Sequence, residues 1–123
     1  FSLFPGIQEN IARHMFDAPE LRGIVMRSFG SGNAPQKPWL TRLLKDATQR
    51  GVTIVNISQC VAGFVKMGRY DTGFQLQDAG VVSGGDSTVE SAITKLMFLQ
   101  AHYKDPRVIR NLMGRSICGE ITK

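Results

Sequence analysis

Cysteine, histidine, tryptophan and long apolar runs are all scarce in this 123-residue chain. The two cysteines, Cys60 and Cys118, lie far apart and form no C-x-x-C pair, which excludes a disulfide framework and a zinc ribbon. A reducing compartment, the cytoplasm, is the expectation. His14 and His102 are the only histidines, and neither has an acidic residue at metal-ligand spacing, so no metal centre is expected. No apolar run approaches the ~18 residues of a membrane span. The chain opens on Phe1 without a basic n-region or a small-residue cleavage site, so no secretory leader is expected. Residues 1–4 read as a strand entered midway, the mark of an excised domain.

What is present describes one ordinary globular domain. Hydrophobic residues make up 42% and charged residues 20%, outside the disordered range. A chain of this length buries roughly two-thirds of its unfolded surface. Fifteen Lys and Arg against ten Asp and Glu give a net charge of +5. Nucleic-acid binding wants basic residues clustered on a stripe with interleaved aromatics. Here they are scattered, with Arg42, Lys45 and Arg50 on one segment and Lys104, Arg107, Arg110 and Arg115 on another. Solvated helix faces are the simpler reading, and no nucleic-acid or membrane partner is expected.

Four short apolar runs, at residues 1–4, 22–28, 52–57 and 81–83, alternate with helical patterns. That alternation predicts βαβ units and a parallel sheet. Consecutive apolar residues at Ile24-Val25-Met26 and Ile54-Val55 suit strands covered on both faces. Ile7, Ile11, Met15 and Phe16 fit one helix face, and Leu40, Leu43, Leu44 and Ala47 fit another, with Gly51 as its stop. Ser87 and Glu90 form a candidate capping box ahead of Val89, Ala92, Ile93 and Leu96. Asp105-Pro106 opens a last helix whose buried face is Val108, Ile109, Leu112 and Met113. Residues 59–73, with Gly63, Lys66, Gly68, Arg69, Tyr70 and Gly73, show no sustained period and read as a long functional or interfacial connection.

Chemistry concentrates at Arg27-Ser28-Phe29-Gly30-Ser31-Gly32-Asn33-Ala34-Pro35, directly after the second apolar run. Open α/β sheets bind ligands beyond the carboxyl ends of their strands. A dinucleotide fingerprint G-x-G-x-x-G fails here because Pro35 stands where the third glycine belongs and donates no N–H. The acid expected at the next strand end is also missing, since that position reads Asn56 or Ser58. No P-loop is present. Arg27 at the end of a buried strand needs an anionic partner, either an acid of the domain or a carboxylate ligand held bidentately. Asn33 offers a donor and an acceptor that suit an amino acid, although a turn-forming Asn fits as well. Cys60 lacks an activating histidine, and Ser28, Ser31 and Ser58 carry no nucleophile elbow. Asp71, Asp78, Asp86, Glu90 and Glu120 are the candidate paired acids, with Asp86 and Glu90 better explained as helix-start groups. No catalytic set is complete, and no cofactor is expected.

Linked stretches over nearly the whole chain are more specific than any of these motifs. They are Leu3-Phe4-Pro5-Gly6-Ile7, the Arg27–Pro35 loop, Val55-Asn56-Ile57-Ser58-Gln59-Cys60 and Met67-Gly68-Arg69-Tyr70-Asp71-Thr72-Gly73. Ala79-Gly80-Val81-Val82-Ser83-Gly84-Gly85-Asp86-Ser87-Thr88-Val89-Glu90, Thr94-Lys95-Leu96 and Gly119-Glu120-Ile121-Thr122 complete the series. In these the chain resembles the C-terminal domain of L-asparaginases of the cytoplasmic, type I kind. The resemblance implies an α/β fold, a small four-stranded parallel sheet flanked by helices, over residues 1–123. It implies that the catalytic threonines, with their Lys and Asp helpers, belong to an N-terminal domain outside this chain. This domain would then build a homodimer, or a dimer of dimers, that closes each active site. Asn33 falls on the asparagine that reaches a neighbour's substrate, so L-asparagine and L-aspartate are the expected small-molecule partners. Arg27 and Cys60 fall on an allosteric asparagine site. The homologous domain of a tRNA-dependent amidotransferase and a stand-alone α/β anion-binding module are the alternatives.

Overall fold

A computed structural model describes residues 1–65 and 71–122, of which residues 71–74 by backbone alone. The elements run α1 (Glu9–Phe16), β1 (Gly23–Ser28), α2 (Pro38–Gln49), β2 (Thr53–Ser58), α3 (Asp71–Asp78), β3 (Val82–Ser83), α4 (Val89–His102) and α5 (Pro106–Met113). The sheet order is β1-β2-β3, and both pairings are parallel. Side chains alternate across it as the strand period requires. Ile24, Met26 and Ile54 join the core under α1, α2 and α3, with Phe16, Leu40, Leu44 and Leu76. Val25, Val55 and Ile57 join a second core with Ala92, Leu96 and Leu99 of α4 and Ile109 and Met113 of α5. The parallel sheet is therefore covered on both faces, and the expected apolar runs at β1 and β2 follow from that.

The sheet has three strands where four were expected. Residues 1–4 do lie beside β1, with the Arg27 N–H bonded to the Phe1 carbonyl at 2.8 Å and the Leu3 N–H to the Arg27 carbonyl at 2.9 Å. They make only a single parallel bridge, Ser2 to Arg27. The ladder stops because Pro5 and Gly6 turn the chain away, with Gly6 at φ +86° and the Ile7 N–H bonded back to the Phe4 carbonyl.

Several local expectations shift in the same way. Ile7 precedes α1, and Ile11 and Met15 are about half exposed, so the buried face of α1 is Ala12 and Phe16. The face of α2 stands as expected, and its chain reversal passes through Gly51 at φ +93°. The cap of α4 is Thr88, which accepts the Ser91 N–H at 3.1 Å, rather than a Ser87–Glu90 box. Ile93 of α4 and Val108 of α5 face outward. Asp105 caps α5 by accepting the Arg107 N–H at 2.9 Å, with Pro106 in its first turn. The connection after β2 ends sooner than expected, because α3 begins at Asp71; Lys66, Gly68, Arg69 and Tyr70 lie outside the described residues. Sequence periodicity missed α3, whose core contribution rests on Leu76 followed by Ala79.

Beyond α5 the chain is irregular and is tied back to α4 by Lys95. The Lys95 ammonium stands 2.6 Å from the Arg115 carbonyl and 3.2 Å from Glu120 Oε1, and both charged side chains are 8% exposed. Burial opposes the Glu120 charge, but N–H groups of Cys118 and Ile117 and the Cys118 thiol donate to the carboxylate and hold its pKa well below the usual range.

Leu44→Ala, at a wholly buried site, should cost about 2–5 kcal/mol in urea unfolding. Ile11→Ala should cost under about 0.5 kcal/mol. A depressed carboxylate pKa contributes stability that is complete above the unfolded value and lost as pH falls toward the folded one. The unfolding midpoint should therefore drop as pH falls below the ordinary value of 4.5, and Glu120→Gln should flatten part of that drop.

Candidate functional site

The carboxyl ends of β1 and β2 are joined by a buried polar link. Ser28 Oγ donates to Asn56 Oδ1 at 2.5 Å, and Asn56 Nδ2 donates to the Gly32 carbonyl at 3.1 Å. Ser28 and Asn56 have no exposed surface. A polar pair inside a core stays only if its hydrogen bonds are made, and here the third partner is the loop itself. The loop closes on its own backbone, with the Phe29 N–H bonded to the Asn33 carbonyl and the Asn33 N–H to the Phe29 carbonyl, both at 2.8 Å. Ser58 Oγ donates to the Gly30 carbonyl at 2.5 Å from the end of β2. Gly32 sits at φ +110°, and a Cβ there would stand 2.8 Å from Val65 and 3.3 Å from Asn56. Only glycine meets both demands.

Arg27 is the last residue but one of β1. Its backbone is clamped on both sides, since its carbonyl also accepts Gln59 Nε2 at 2.9 Å, while the same amide donates to the Leu3 carbonyl at 2.6 Å. The side chain is half-buried, and its Nε is enclosed without a hydrogen-bond partner among the described residues. Burial, and then the Arg27 charge, lower the pKa of the Phe1 amino group. A buried donor of a charged group left unpaired is costly.

Arg27 opens onto a cavity of about 230 Å³. Ser58, Gln59 and Cys60 line one side, and residues 86–90 line the other. Cys60 is exposed at its rim, and its N–H is held by Ser58 Oγ at 3.0 Å. The structure thus brings Arg27 and Cys60 to one cavity, whose lining also includes Asp86 and Glu90. Asp86 is not a helix-start group. Its carboxylate accepts the N–H and the hydroxyl of Thr122, which hold its pKa below the usual range. Glu90 does stand in the first turn of α4. Asn33 is half-buried on the loop and is not among the residues lining this cavity. Cys118 is exposed and bonded to Glu120.

Two contributors escaped sequence reasoning. Asn56 was visible only as the residue in place of a missing acid, although a polar residue inside the run Thr53–Ser58 was a signal in itself. Gln59 gave no signal, because its role is to bridge two backbone carbonyls of other segments. Among the described residues no group of three or more His, Cys, Asp or Glu is placed to hold a metal ion, and no helix is long and apolar enough to cross a membrane.

Residues 1–113 match the glutaminase/asparaginase C-terminal domain family. The chain is 40% identical over 121 residues to L-asparaginase 1 of Escherichia coli, an alignment covering 98% of this chain and 36% of that protein. It is 36% identical over 118 residues to a glutamyl-tRNA(Gln) amidotransferase component of Saccharolobus islandicus, covering 96% of this chain and 26% of that one. The crystal structure of L-asparaginase I from Vibrio cholerae superposes with a TM-score of 0.94 at 41% identity, over 100% of this chain and 37% of that one. The chain therefore spans little more than a third of the length of its asparaginase relatives.

The glycines of the loop give a direct check on its geometry. Gly30 has φ +50° with nothing within 4 Å of an added Cβ, so Gly30→Ala should cost only about 1 kcal/mol of left-handed strain. Gly32→Ala adds the clash with Val65 and Asn56 and should cost about 2–3 kcal/mol in total. Urea unfolding of the two variants measures the difference.

Proposed function

The chain belongs to the glutaminase/asparaginase C-terminal domain family, and from that premise we propose that it is the C-terminal domain of an L-asparaginase. The whole protein would hydrolyse L-asparagine to L-aspartate and ammonia, with catalysis carried by residues outside this chain. The asparaginase relative is matched at higher identity than the amidotransferase, which favours hydrolysis over transfer of the ammonia to a charged tRNA. Two free, exposed cysteines suit the reducing cytoplasm.

Within that protein the domain has two separate tasks. Asn33, on a loop anchored from beneath by Asn56, serves as a contact to the substrate of a neighbouring protomer. Arg27 and Cys60 serve a second, regulatory asparagine. The observation that carries this second role is that Arg27 and Cys60 line one cavity. A free amino acid supplies what that cavity asks for, a carboxylate for the guanidinium and an ammonium for the acids opposite. Its about 230 Å³ lies below the roughly 300–1,000 Å³ of pockets for larger ligands. Assembly through this domain fits α4, whose outer surface carries Ile93, Met97 and Phe98 exposed. An exposed apolar patch of this kind marks a surface that is covered in an assembly.

Steady-state rates against asparagine test the assignment in the intact protein. Arg27→Ala should turn a sigmoidal curve hyperbolic and leave the maximal rate in place, whereas an unchanged curve would make Arg27 structural. Asn33→Ala should lower kcat/KM by about tenfold to a hundredfold, the scale of one or two lost hydrogen bonds. The 123-residue chain alone should hydrolyse no asparagine.

A further inference from the structure

We propose that the Lys95–Glu120 pair positions one wall of the Arg27 cavity, acting through residues 117–122 on residues 85–87. The ligand part of the test rests on the reading of that cavity given above; the positioning does not. The cavity has one strong wall and one weak one. Ser58 ends β2, which is paired with β1 over six residues, and Gln59 and Cys60 follow it. Residues 86–90 follow β3, which is paired with β2 at only two positions. Beyond the Gly84 N–H, bonded to the Asn56 carbonyl at 2.9 Å, the stretch before α4 has, among the described residues, one further backbone bond to another segment, from the Val65 N–H to the Gly85 carbonyl at 3.0 Å.

The C-terminal segment supplies the side-chain bonds that hold residues 86 and 87. Asp86 accepts the Thr122 N–H at 2.8 Å and the Thr122 hydroxyl. Ser87 Oγ donates to the Glu120 carbonyl at 3.4 Å. Gly85 packs so closely that a Cβ on it would stand 2.7 Å from Ile121. That segment has no helix or strand to fix its own shape. Its shape comes from the Glu120 carboxylate, which accepts the Ile117 and Cys118 N–H groups at 2.5 and 2.9 Å and faces the Lys95 ammonium at 3.2 Å. Lys95 in turn also donates to the Met113 and Arg115 carbonyls, fixing the exit of α5. Removing the Glu120 charge leaves a nearly buried ammonium without its counter-ion and weakens both backbone bonds. Residues 120–122 then lose the geometry that presents Thr122 to Asp86. Glu120 is a positioning residue, with no contact to a ligand.

Amide hydrogen exchange on the intact protein, with and without asparagine, tests this. Glu120→Gln should speed exchange at Gly85 and Ser87 by about tenfold, a local opening, while the amides of Val55 and Ile57 keep their protection. Lys95→Met should do the same, and Lys95→Arg should largely restore the wild-type rates. Unchanged exchange at Gly85 and Ser87, or an equal rise through β2, would overturn the proposal. Should Glu120→Gln fail to fold, Asp86→Asn reads the same wall with the Lys95–Glu120 pair intact, and unaltered exchange at Ser87 would count against it. In the ligand arm, asparagine should slow exchange of the wall in the wild type, and Glu120→Gln should raise the half-protecting concentration about tenfold. Wild-type wall amides indifferent to asparagine, with Glu120→Gln still loosening them, would overturn the reading of the cavity and uphold the positioning. Asparagine protection at an unaltered concentration in Glu120→Gln would overturn the positioning alone.

Discussion

A hydrogen-bonded pair with no exposed surface, Ser28 and Asn56, organises the functional end of this domain. It joins the ends of the two longest strands and carries the loop between β1 and α2 through the Gly32 carbonyl. Around it the core is apolar, so each of its polar atoms must be satisfied locally. The loop meets that demand by folding back over Asn56, and it can come close enough because Gly32 has no side chain. Arg27 just before the pair and Asn33 on the loop are both placed by this one link. A change at Asn56 would reach both.

The two proposed tasks are separated by direction. Arg27 faces the cavity between the ends of β1 and β2 and the start of α4, while Asn33 lies on the loop outside it. The wall opposite Arg27 belongs to a short strand and borrows its rigidity from the C-terminal segment. On the proposed reading, a pocket whose shape depends on few contacts would let this domain bias an active site elsewhere.

Sequence reasoning reached the fold class because apolar runs and helical periods are local properties. Ile24-Val25-Met26 and Leu40, Leu43, Leu44 and Ala47 announced a covered strand and a one-sided helix. It overran where a long-range balance decides. Residues 1–4 have strand composition, yet Pro5 and Gly6 leave them one bridge. Ile7, Ile11, Met15 and Phe16 fit a helical face, yet only Ile7 and Phe16 of these are buried, and Ala12 turns inward with them. For the site, Arg27, Asn33 and Cys60 were legible as residue types in a recognisable order. The grouping of Arg27 with Cys60 was implied by the family resemblance alone, because the sheet register that brings Arg27 level with Ile57, far away in sequence, leaves no mark in the spacing. Asn56 and Gln59 act on the backbone of distant segments, and no spacing in the chain encodes that.

A double-mutant cycle across the Ser28–Asn56 link is the most direct measurement of the central claim. Ser28→Ala and Asn56→Ala should each destabilise the domain, and urea unfolding of the double variant should reveal a coupling of at least about 1 kcal/mol. Costs that add to within roughly 0.3–0.5 kcal/mol would mean that the two residues act independently, and the link would not be what holds the loop.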